Sequence, residues 1–383
     1  MASTTKIEWT DASWTPVRAR RKDTGKVGWH CERVSPACTH CYAAAHNRRA
    51  LPGCGTGLDY VRSSRDQVDI FIDELTLLQP LKWKRPRKVF VCSMTDLFAE
   101  FVPFEMVDRV FAVMALCPQH TFQVLTKRPE RMAEYLNDWH PDWDRAFPDD
   151  ADIDIGGTHL TSKRDITDEY ATVAKDWPLP NVWLGTTVEN QEWADKRILW
   201  LLKCPAAVRF LSVEPMLGQI YLRSGQVWCR DCETDRGDVY DRTPEPCDGK
   251  CPRIHWVICG GESGRNARPM HPDWARSLRD QCAAYGVPFF FKQWGEFFPA
   301  TIVDDSRMAG GRAYDSPRGG RSSTMMRTSK RDWQQMKPGD ETRGSTMLDH
   351  DTMAVKVGKK AAGRLLDGVE HSEFPSASTA AGV

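Results

Sequence analysis

The sequence has 383 residues, with 52 Lys and Arg against 52 Asp and Glu, so its formal net charge is zero. Because nucleic-acid affinity scales with an excess of cations, this balance argues against a general polyanion binder but leaves room for a local basic patch. No apolar run is long enough to span a bilayer, and residues 1–9 lack the apolar segment of a secretory signal. We therefore expect a cytoplasmic protein with no membrane partner.

Six short, continuous apolar runs predict strands that are buried on both faces. They lie at residues 88–93, 121–126, 181–186, 208–213, 255–260 and 287–292. Helical patterns occupy residues 66–78, 104–116, 129–136, 191–202 and 272–285. Strand followed by helix, repeated, predicts parallel strands with right-handed crossovers. We therefore expect an α/β fold with a partial or full parallel (β/α) barrel of about six strands. A doubly wound open sheet is the competing architecture.

Three stretches interrupt this alternation and suggest the domain organisation. Residues 1–299 are predicted to form a barrel domain with two insertions. The first insertion, residues 138–175, begins with an acidic run, and the second, residues 226–252, contains four Cys. Residues 300–353 are polar and rich in Gly, Ser and Arg, which is typical of a loop region. Residues 354–366 predict a basic closing helix, and the residues from Ser376 to 383 predict a frayed tail.

Polar residues follow the predicted strands, at the edge where parallel α/β folds place their functional sites. These residues are Ser93, Thr95, Asp96, Thr126, Lys127, Glu189, Asn190, Glu214, Glu262 and Lys292. A single Ser, Thr or Asp after a strand is often only a helix cap. Such residues after successive strands predict a site at the carboxyl ends of the sheet.

Three cysteines near the N-terminus form the strongest local signal. Six residues separate Cys31 from Cys38, and two separate Cys38 from Cys41. Thiolates on a short loop are soft ligands for iron–sulfur clusters or zinc. A 4Fe-4S cluster held by three thiolates keeps one iron open, whereas closed structural zinc needs a fourth ligand such as His30, His40 or His46. The spacing leaves both interpretations open.

A second cysteine group falls inside the insertion at residues 226–252. Cys229 and Cys232 form one close pair, and Cys247 and Cys251 form another, with fourteen residues between the pairs. Two close pairs flanking a polar loop are typical of tetrahedral four-thiolate zinc, which would stabilise a loop that has no core of its own. An auxiliary iron–sulfur cluster is the alternative.

Eight segments resemble the phage-associated three-Cys-motif family, which is largely of unknown function and is itself similar to radical S-adenosylmethionine enzymes. The segments are KIEWTDASW at 6–14, VSPACTHCY at 34–42, SMTDLF at 93–98, LTKRP at 125–129, LGTTVEN at 184–190, LSVEP at 211–215, GGESG at 260–264 and FKQWG at 291–295. The similarity resumes at VGKKAAGRLLD, residues 357–367. Such a protein would occupy the host cytoplasm if a phage encodes it.

The resemblance implies a radical-SAM-like partial barrel with a 4Fe-4S cluster on Cys31, Cys38 and Cys41 and S-adenosylmethionine on the open iron. The candidate cofactor-binding residues are Tyr42, Ser93, Thr95, Asp96, Thr126 and Asn190, and the candidate catalytic residues are Lys127, Glu189, Glu214, Glu262 and Lys292. The sequence departs from the radical enzyme pattern, which has three residues between its first two cysteines. Its Gly-Gly-Glu segment, residues 260–262, also follows a late strand instead of the second one.

The leading hypothesis is an iron–sulfur, radical-SAM-like enzyme that modifies or repairs a nucleotide or nucleic acid. Lys127 and Arg128 at a strand end would suit phosphate groups, and Trp side chains would suit base stacking. The alternative is a non-catalytic, zinc-stabilised barrel that binds nucleic acid or a partner protein. A metal-dependent hydrolase ranks last, because the chain lacks a clustered set of His and Asp ligands.

Overall fold

The computed structural model describes residues 5–49, 54–139, 153–155, 158–160, 177–223, 252–301, 341–342, 345–349 and 352–376. Its strands, in chain order, are β1 (Ala12–Trp14), β2 (Val17–Arg21), β3 (Val27–Gly28), β4 (Val68–Ile72), β5 (Lys88–Val91), β6 (Thr121–Thr126), β7 (Ile153–Ile155), β8 (Thr158–Leu160), β9 (Val182–Thr187), β10 (Val208–Val213), β11 (Trp256–Gly260), β12 (Phe289–Gln293), β13 (Phe297–Thr301), β14 (Glu341–Thr342), β15 (Ser345–Met347), β16 (Thr352–Lys356), β17 (Leu365–Leu366) and β18 (Val369–Glu370). Its α-helices are α1 (Tyr42–Arg48), α2 (Glu74–Leu77), α3 (Phe104–Ala115), α4 (Pro129–Glu134), α5 (Gln191–Lys203), α6 (Pro272–Ala284) and α7 (Lys359–Ala362).

Seven parallel strands form one curled sheet in the order β1-β5-β6-β9-β10-β11-β12. Their spatial order follows chain order without reversal, so the sheet lacks the switch point of a doubly wound fold. The prediction of a partial parallel barrel is confirmed. All six predicted strands are present, and β1 is the seventh. It escaped prediction because three residues that include a serine make too short an apolar run.

Four predicted helices are confirmed as α3, α4, α5 and α6.

The two faces of the sheet bury different side chains. On the convex face, residues such as Val89, Val124 and Leu211 pack with α3, α5 and α6 in the main hydrophobic core. On the concave face, aromatic side chains form a second cluster that includes Phe90, Phe210, Trp256 and Phe290. The continuous apolar runs in the sequence reflect this burial on both sides.

The two-residue period of a strand brings the predicted polar residues onto the concave face. Phe210 lies in the concave aromatic cluster, and Ser212 and Glu214 follow it at steps of two. Phe290 is followed in the same way by Lys292. The half-barrel is therefore filled by aromatic rings towards its amino end and lined by polar groups at its carboxyl end.

The predicted helix at residues 66–78 is wrong. A 3₁₀ helix (Arg62–Gln67), strand β4 and the single turn α2 occupy this stretch. Strand β4 pairs antiparallel with β2, which also pairs with β3. Val68, Ile70 and Ile72 are β-branched and favour a strand, and Asp73 ends it by accepting a hydrogen bond from the Thr76 amide. Tertiary pairing therefore overrode the helical spacing of the apolar residues.

The predicted closing helix at residues 354–366 is also wrong. Strand β16, the four-residue helix α7 and strand β17 take its place. Gly358 and Gly363 bound α7 with φ of 85° and 75°, a backbone conformation that interrupts a helix. Because β16 pairs with β13, a small antiparallel sheet crosses the predicted domain boundaries at residues 299/300 and 353/354.

The C-terminal segment crosses the open edge of the half-barrel. Phe290 of β12 forms an isolated antiparallel bridge with Ser372, and Trp256 donates its indole N–H to the Glu373 carbonyl at 2.8 Å. The Phe374 ring packs on Trp256 and Phe290. This segment therefore covers the concave aromatic cluster.

Parts of the two predicted insertions lie beyond what the structure describes. Strands β7 and β8 form a hairpin within residues 138–175, and residues 226–251 lie outside the described residues. Among the helices of the described ranges, none is long and apolar enough to cross a membrane.

Candidate functional site

A cavity of about 560 Å³ lies at the carboxyl ends of the parallel strands. Twelve of the predicted site residues line it, namely Cys31, Cys38, Cys41, Tyr42, Ser93, Thr95, Asp96, Thr126, Lys127, Glu214, Glu262 and Lys292. They come from the ends of five strands and from one N-terminal loop. The parallel topology therefore brings together residues that are up to 261 positions apart, from Cys31 to Lys292.

The three N-terminal cysteines lie on a loop between β3 and α1 that we call the cysteine loop, residues 30–41. All three are free, partly buried thiols. Burial raises the pKa of the Cys31 thiol to about 12, with a contribution from the nearby Asp96 carboxylate, while Arg128 acts in the opposite direction. A bound metal would favour the thiolate form and offset this cost.

The two metal interpretations require different arrangements of the thiols. Within the described ranges, no three His, Cys, Asp or Glu side chains converge closely enough to share one metal ion. A mononuclear zinc site requires such convergence, with Zn–S distances of about 2.3 Å. An iron–sulfur cluster differs because each thiolate binds a separate iron, so the sulfurs need only face a common space. Three thiols on one cavity wall fit that requirement.

The histidines considered as a fourth ligand have other neighbours. His30 is buried against Phe101 and Tyr60, and burial, followed by repulsion from Arg65 and Arg128, lowers its pKa to about 4. His46 lies against Trp29. Only His40 lines the cavity, and its Nδ1 lies 3.1 Å from the Glu262 carboxylate.

Asp96 is a carboxylate of the cavity whose two oxygens are both hydrogen-bonded. Its Oδ1 accepts hydrogen bonds from the Thr126 hydroxyl at 2.7 Å and the Phe98 amide at 3.1 Å. Its Oδ2 accepts from the Lys127 amide and from the Arg128 guanidinium, each at 3.0 Å. Burial alone would raise the pKa of Asp96, but Arg128 and these hydrogen bonds lower it below its usual value. Asp96 is therefore a fixed negative charge at the end of β5.

Tyr42 and Ser93 also line the cavity and are bonded to each other. The Tyr42 hydroxyl donates a hydrogen bond to the Ser93 carbonyl at 2.6 Å, and the Ser93 hydroxyl is hydrogen-bonded to Ser13. Tyr42 is nevertheless 60% exposed. Its hydroxyl is held while its ring remains accessible, an arrangement that suits stacking against a planar group.

Lys292 and Glu214 form an ion pair on the concave face. The Lys292 ammonium lies 2.7 Å from Glu214 Oε1 and 2.9 Å from Oε2. Gln293 donates to Glu214 at 3.4 Å and to the Ser263 hydroxyl at 3.0 Å. Both ions are largely removed from water, so each neutralises the other.

The Lys127 ammonium is held less tightly than the Lys292 ammonium. Its ammonium donates to the Thr187 hydroxyl at 3.4 Å, and no carboxylate in the described part of the chain lies within ion-pair distance of it. Ser212, which is opposite Thr187 in the sheet, also lines the cavity and is 3% exposed. The Lys127 ammonium and the hydroxyls of Thr187 and Ser212 therefore present donors to an anionic group in the cavity.

Glu189 and Asn190 do not line this cavity. Glu189 is fully buried, where its Oε2 accepts from Arg197 at 3.0 Å and its Oε1 accepts from the Ala37 amide at 3.3 Å. The Asn190 side chain accepts from the Trp193 amide and caps α5. Direct roles in catalysis or cofactor binding are therefore not supported for these two residues.

Other residues of the site carried no recognised sequence signal. Arg268 donates three hydrogen bonds to the Glu262 carboxylate and one to the Pro36 carbonyl. Thr187, Ser212 and Gln293 were missed because they lie within or beside apolar strands. The two-residue alternation would have placed Ser212 on the same face as Glu214, and the strand register places Thr187 opposite Ser212. Gln293 does not follow the alternation, because it comes directly after Lys292 where the pairing of β11 with β12 shifts. The second cysteine group, Cys229, Cys232, Cys247 and Cys251, lies outside the described residues.

Comparison with known proteins assigns the chain to a family. A family model described as "Protein of unknown function (DUF5131)" matches residues 4–375. No curated protein and no solved structure matches the chain significantly. Because the family model covers nearly the whole sequence, including every strand of the half-barrel, the chain belongs to the DUF5131 family.

Proposed function

We propose that this protein is an iron–sulfur enzyme of the radical S-adenosylmethionine type that acts on a nucleotide or nucleic acid. One observation carries the proposal: Cys31, Cys38 and Cys41 face the same cavity as the charged residues at the strand ends. Three thiolates without a fourth protein ligand would leave one iron open to a second molecule. This combination favours a reaction centre over a purely structural site.

Within this proposal, the three cysteines would hold a 4Fe-4S cluster. When bound, the cluster would supply the electron that cleaves S-adenosylmethionine to a radical, which is chemistry that side chains alone lack. The protein would bind and orient the reactants. Tyr42 offers an accessible ring, and Ser93, Thr95 and Thr126 provide polar groups. Asp96 holds Thr126 and the Arg128 guanidinium in place.

The charges of the cavity support an anionic substrate. Lys6 and Lys127 both line the cavity, and within the described ranges neither has a carboxylate within ion-pair distance. A nucleotide phosphate would supply the missing negative charge, and a base would stack on an exposed ring such as that of Tyr42. In this scheme the Glu214–Lys292 pair would hold or transfer a proton next to the bound substrate.

Anaerobic reconstitution tests the proposal. Full-length protein is incubated with iron and sulfide, desalted, and analysed for iron, sulfide and zinc. After reduction with dithionite, we expect an electron paramagnetic resonance signal of a reduced cluster that changes when S-adenosylmethionine is added. Release of 5′-deoxyadenosine would follow. A colourless protein that retains only zinc after this treatment would contradict the proposal.

One observation favours a second candidate, a non-catalytic zinc-stabilised barrel that binds nucleic acid or a partner protein. Metal-bound histidines usually donate their other ring N–H to a carboxylate, and His40 has such a contact with Glu262. Rearrangement of the cysteine loop would then give a Cys₃His zinc site. The same metal analysis separates the candidates, because this one requires zinc at the first cysteine group. Zinc at the second group, Cys229 to Cys251, is compatible with both.

A further inference from the structure

The cysteine loop is attached to the half-barrel by side chains from four different strand ends. The Thr95 hydroxyl, after β5, donates to the His30 carbonyl at 2.5 Å. The Arg128 guanidinium, after β6, donates to the Glu32 carbonyl at 3.4 Å. These two contacts fix the backbone on either side of Cys31.

Glu189 attaches the middle of the loop. It follows β9, is fully buried, and accepts the Ala37 amide hydrogen bond directly before Cys38. Its other oxygen accepts from Arg197, which also donates to the Thr187 carbonyl at 2.7 Å. Removing a charged acceptor from a buried amide is costly, so this contact restrains the loop more than an exposed hydrogen bond would.

Glu262 and Arg268 attach the part of the loop that contains Cys38 and Cys41. Glu262, after β11, binds His40 through Oε2 and Arg268 through both oxygens. Arg268 in turn donates to the Pro36 carbonyl at 3.0 Å. A carboxylate and a guanidinium therefore hold the loop on both sides of Cys38, and both carboxylate oxygens are occupied.

The Gly-Gly-Glu segment, residues 260–262, explains how Glu262 reaches this position. A Cβ atom at Gly261 would lie 1.9 Å from the Trp294 carbonyl oxygen, so only glycine allows the loops after β11 and β12 to pack this closely. The close packing positions the Glu262 carboxylate beside the cysteine loop. The segment therefore has a positioning role that does not depend on a cofactor.

We propose that Glu189, Glu262 and Arg268 are positioning residues that fix the spacing of Cys31, Cys38 and Cys41 before any metal binds. The barrel, and not the metal, would then determine the conformation of the loop. This inference concerns the site of the proposed function and rests on contacts within the chain. A zinc site formed by rearrangement of the cysteine loop would not fit it. It also gives Glu189 and Glu262 roles that differ from direct catalysis.

Cysteine alkylation in the metal-free, full-length protein tests the inference. Iodoacetamide labelling of each cysteine is followed over time by peptide mass spectrometry. Glu262→Ala and Arg268→Ala should each accelerate labelling of Cys38 and Cys41 about tenfold, because loss of a charge-assisted hydrogen bond favours local opening. The double variant Glu189→Leu/Arg197→Met leaves no unpaired charge, and it should accelerate the labelling of Cys38 by a similar factor.

Two internal references make the result specific. Cys117 and Cys204 are fully buried in the core and report global unfolding. Glu74→Ala removes a bidentate contact to Arg109 that is remote from the cysteine loop, and it should leave the labelling of Cys38 unchanged. Glu262→Gln keeps a side-chain oxygen as acceptor and should restore part of the protection that Glu262→Ala removes.

The inference is wrong if Cys38 and Cys41 react at wild-type rates in all three loop variants. It is equally wrong if the labelling of Cys117 and Cys204 accelerates by the same factor, because Glu189, Glu262 and Arg268 would then contribute only to overall stability. After reconstitution, the variants should also show a changed line shape in the paramagnetic resonance spectrum. A wild-type protein that takes up no iron would refute the proposed function, whereas the alkylation rates would still decide this inference.

Discussion

The Lys292 ammonium lies 2.7 Å from the Glu214 carboxylate at the carboxyl edge of the half-barrel, although 78 residues separate the two in the chain. Their side chains are only 12% and 19% exposed. Neither residue would be stable there without the other, because a buried charge needs a partner. The pair is therefore a product of the topology, which places β10 two strands away from β12.

A double-mutant cycle tests this coupling. Lys292→Met leaves Glu214 unpaired and should lower the free energy of unfolding by about 3 kcal/mol. Glu214→Gln/Lys292→Met should lose less than the sum of the single variants, with a coupling of about 1–3 kcal/mol in urea denaturation. The exposed pair Glu192–Lys196 is the control and should couple by no more than about 0.5 kcal/mol. Additive effects at Glu214 and Lys292 would contradict the pairing.

Neighbouring glycines should respond differently to alanine. A Cβ at Gly261 would lie 1.9 Å from a backbone oxygen, whereas the nearest atom to a Cβ at Gly260 would be 3.4 Å away. Gly261→Ala should therefore destabilise the fold by about 3 kcal/mol or more, and Gly260→Ala by about 1 kcal/mol or less. Urea unfolding midpoints measure both. Equal midpoints would show that the loops after β11 and β12 do not pack as described.

His255 predicts a pH dependence of stability. It is buried at the start of β11, where its Nδ1 accepts the Arg209 amide hydrogen bond at 3.0 Å. Burial, followed by repulsion from Arg209 and Arg253, lowers its pKa to about 3. Below pH 6.5 the unfolded state binds the proton more readily, so this contribution to stability is complete above pH 6.5 and falls as the pH drops towards 3.

His255 should contribute about 1.4 kcal/mol per pH unit to this slope between about pH 6 and pH 4. Denaturant titrations over this range should show a weaker pH dependence for His255→Asn, whose side-chain oxygen still accepts the Arg209 amide hydrogen bond. His46→Asn is the control, because His46 is only partly buried in the last turn of α1. If His255→Asn retains the full slope of the wild type, His255 is not the responsible group.

The cysteine assignments predict a selective loss of signal. Cys31→Ala, Cys38→Ala and Cys41→Ala should each abolish the paramagnetic resonance signal of reconstituted, reduced protein, because a cluster with only two ligands is not retained. Cys54→Ala is the matched control, since Cys54 is a free, partly buried thiol in the same hydrophobic cluster as Cys31 and Cys41. Loss of the signal only after changes among Cys229, Cys232, Cys247 and Cys251 would overturn the assignment.

Local sequence patterns determined the main strands and helices. The strands of the half-barrel are buried on both faces, so they appear as continuous apolar runs, and α3, α5 and α6 show helical spacing. Two helix predictions, at residues 66–78 and 354–366, were wrong because the deciding factors were pairing with distant strands and glycines at positive φ. Strand β1 was missed because its three residues become a strand only by pairing with β5.

The sequence by itself determined which residues lie at the strand ends, because each follows its apolar run directly. The tertiary structure decided their partners. In the folded chain, Asn190 caps a helix, and Glu189 and Glu262 accept hydrogen bonds from the cysteine loop. Lys292 forms an ion pair with Glu214. These contacts join residues that are as many as 222 positions apart in the chain, as between His40 and Glu262. The local sequence around each residue does not specify such a partner, because the partner is brought near only by the folding of the sheet.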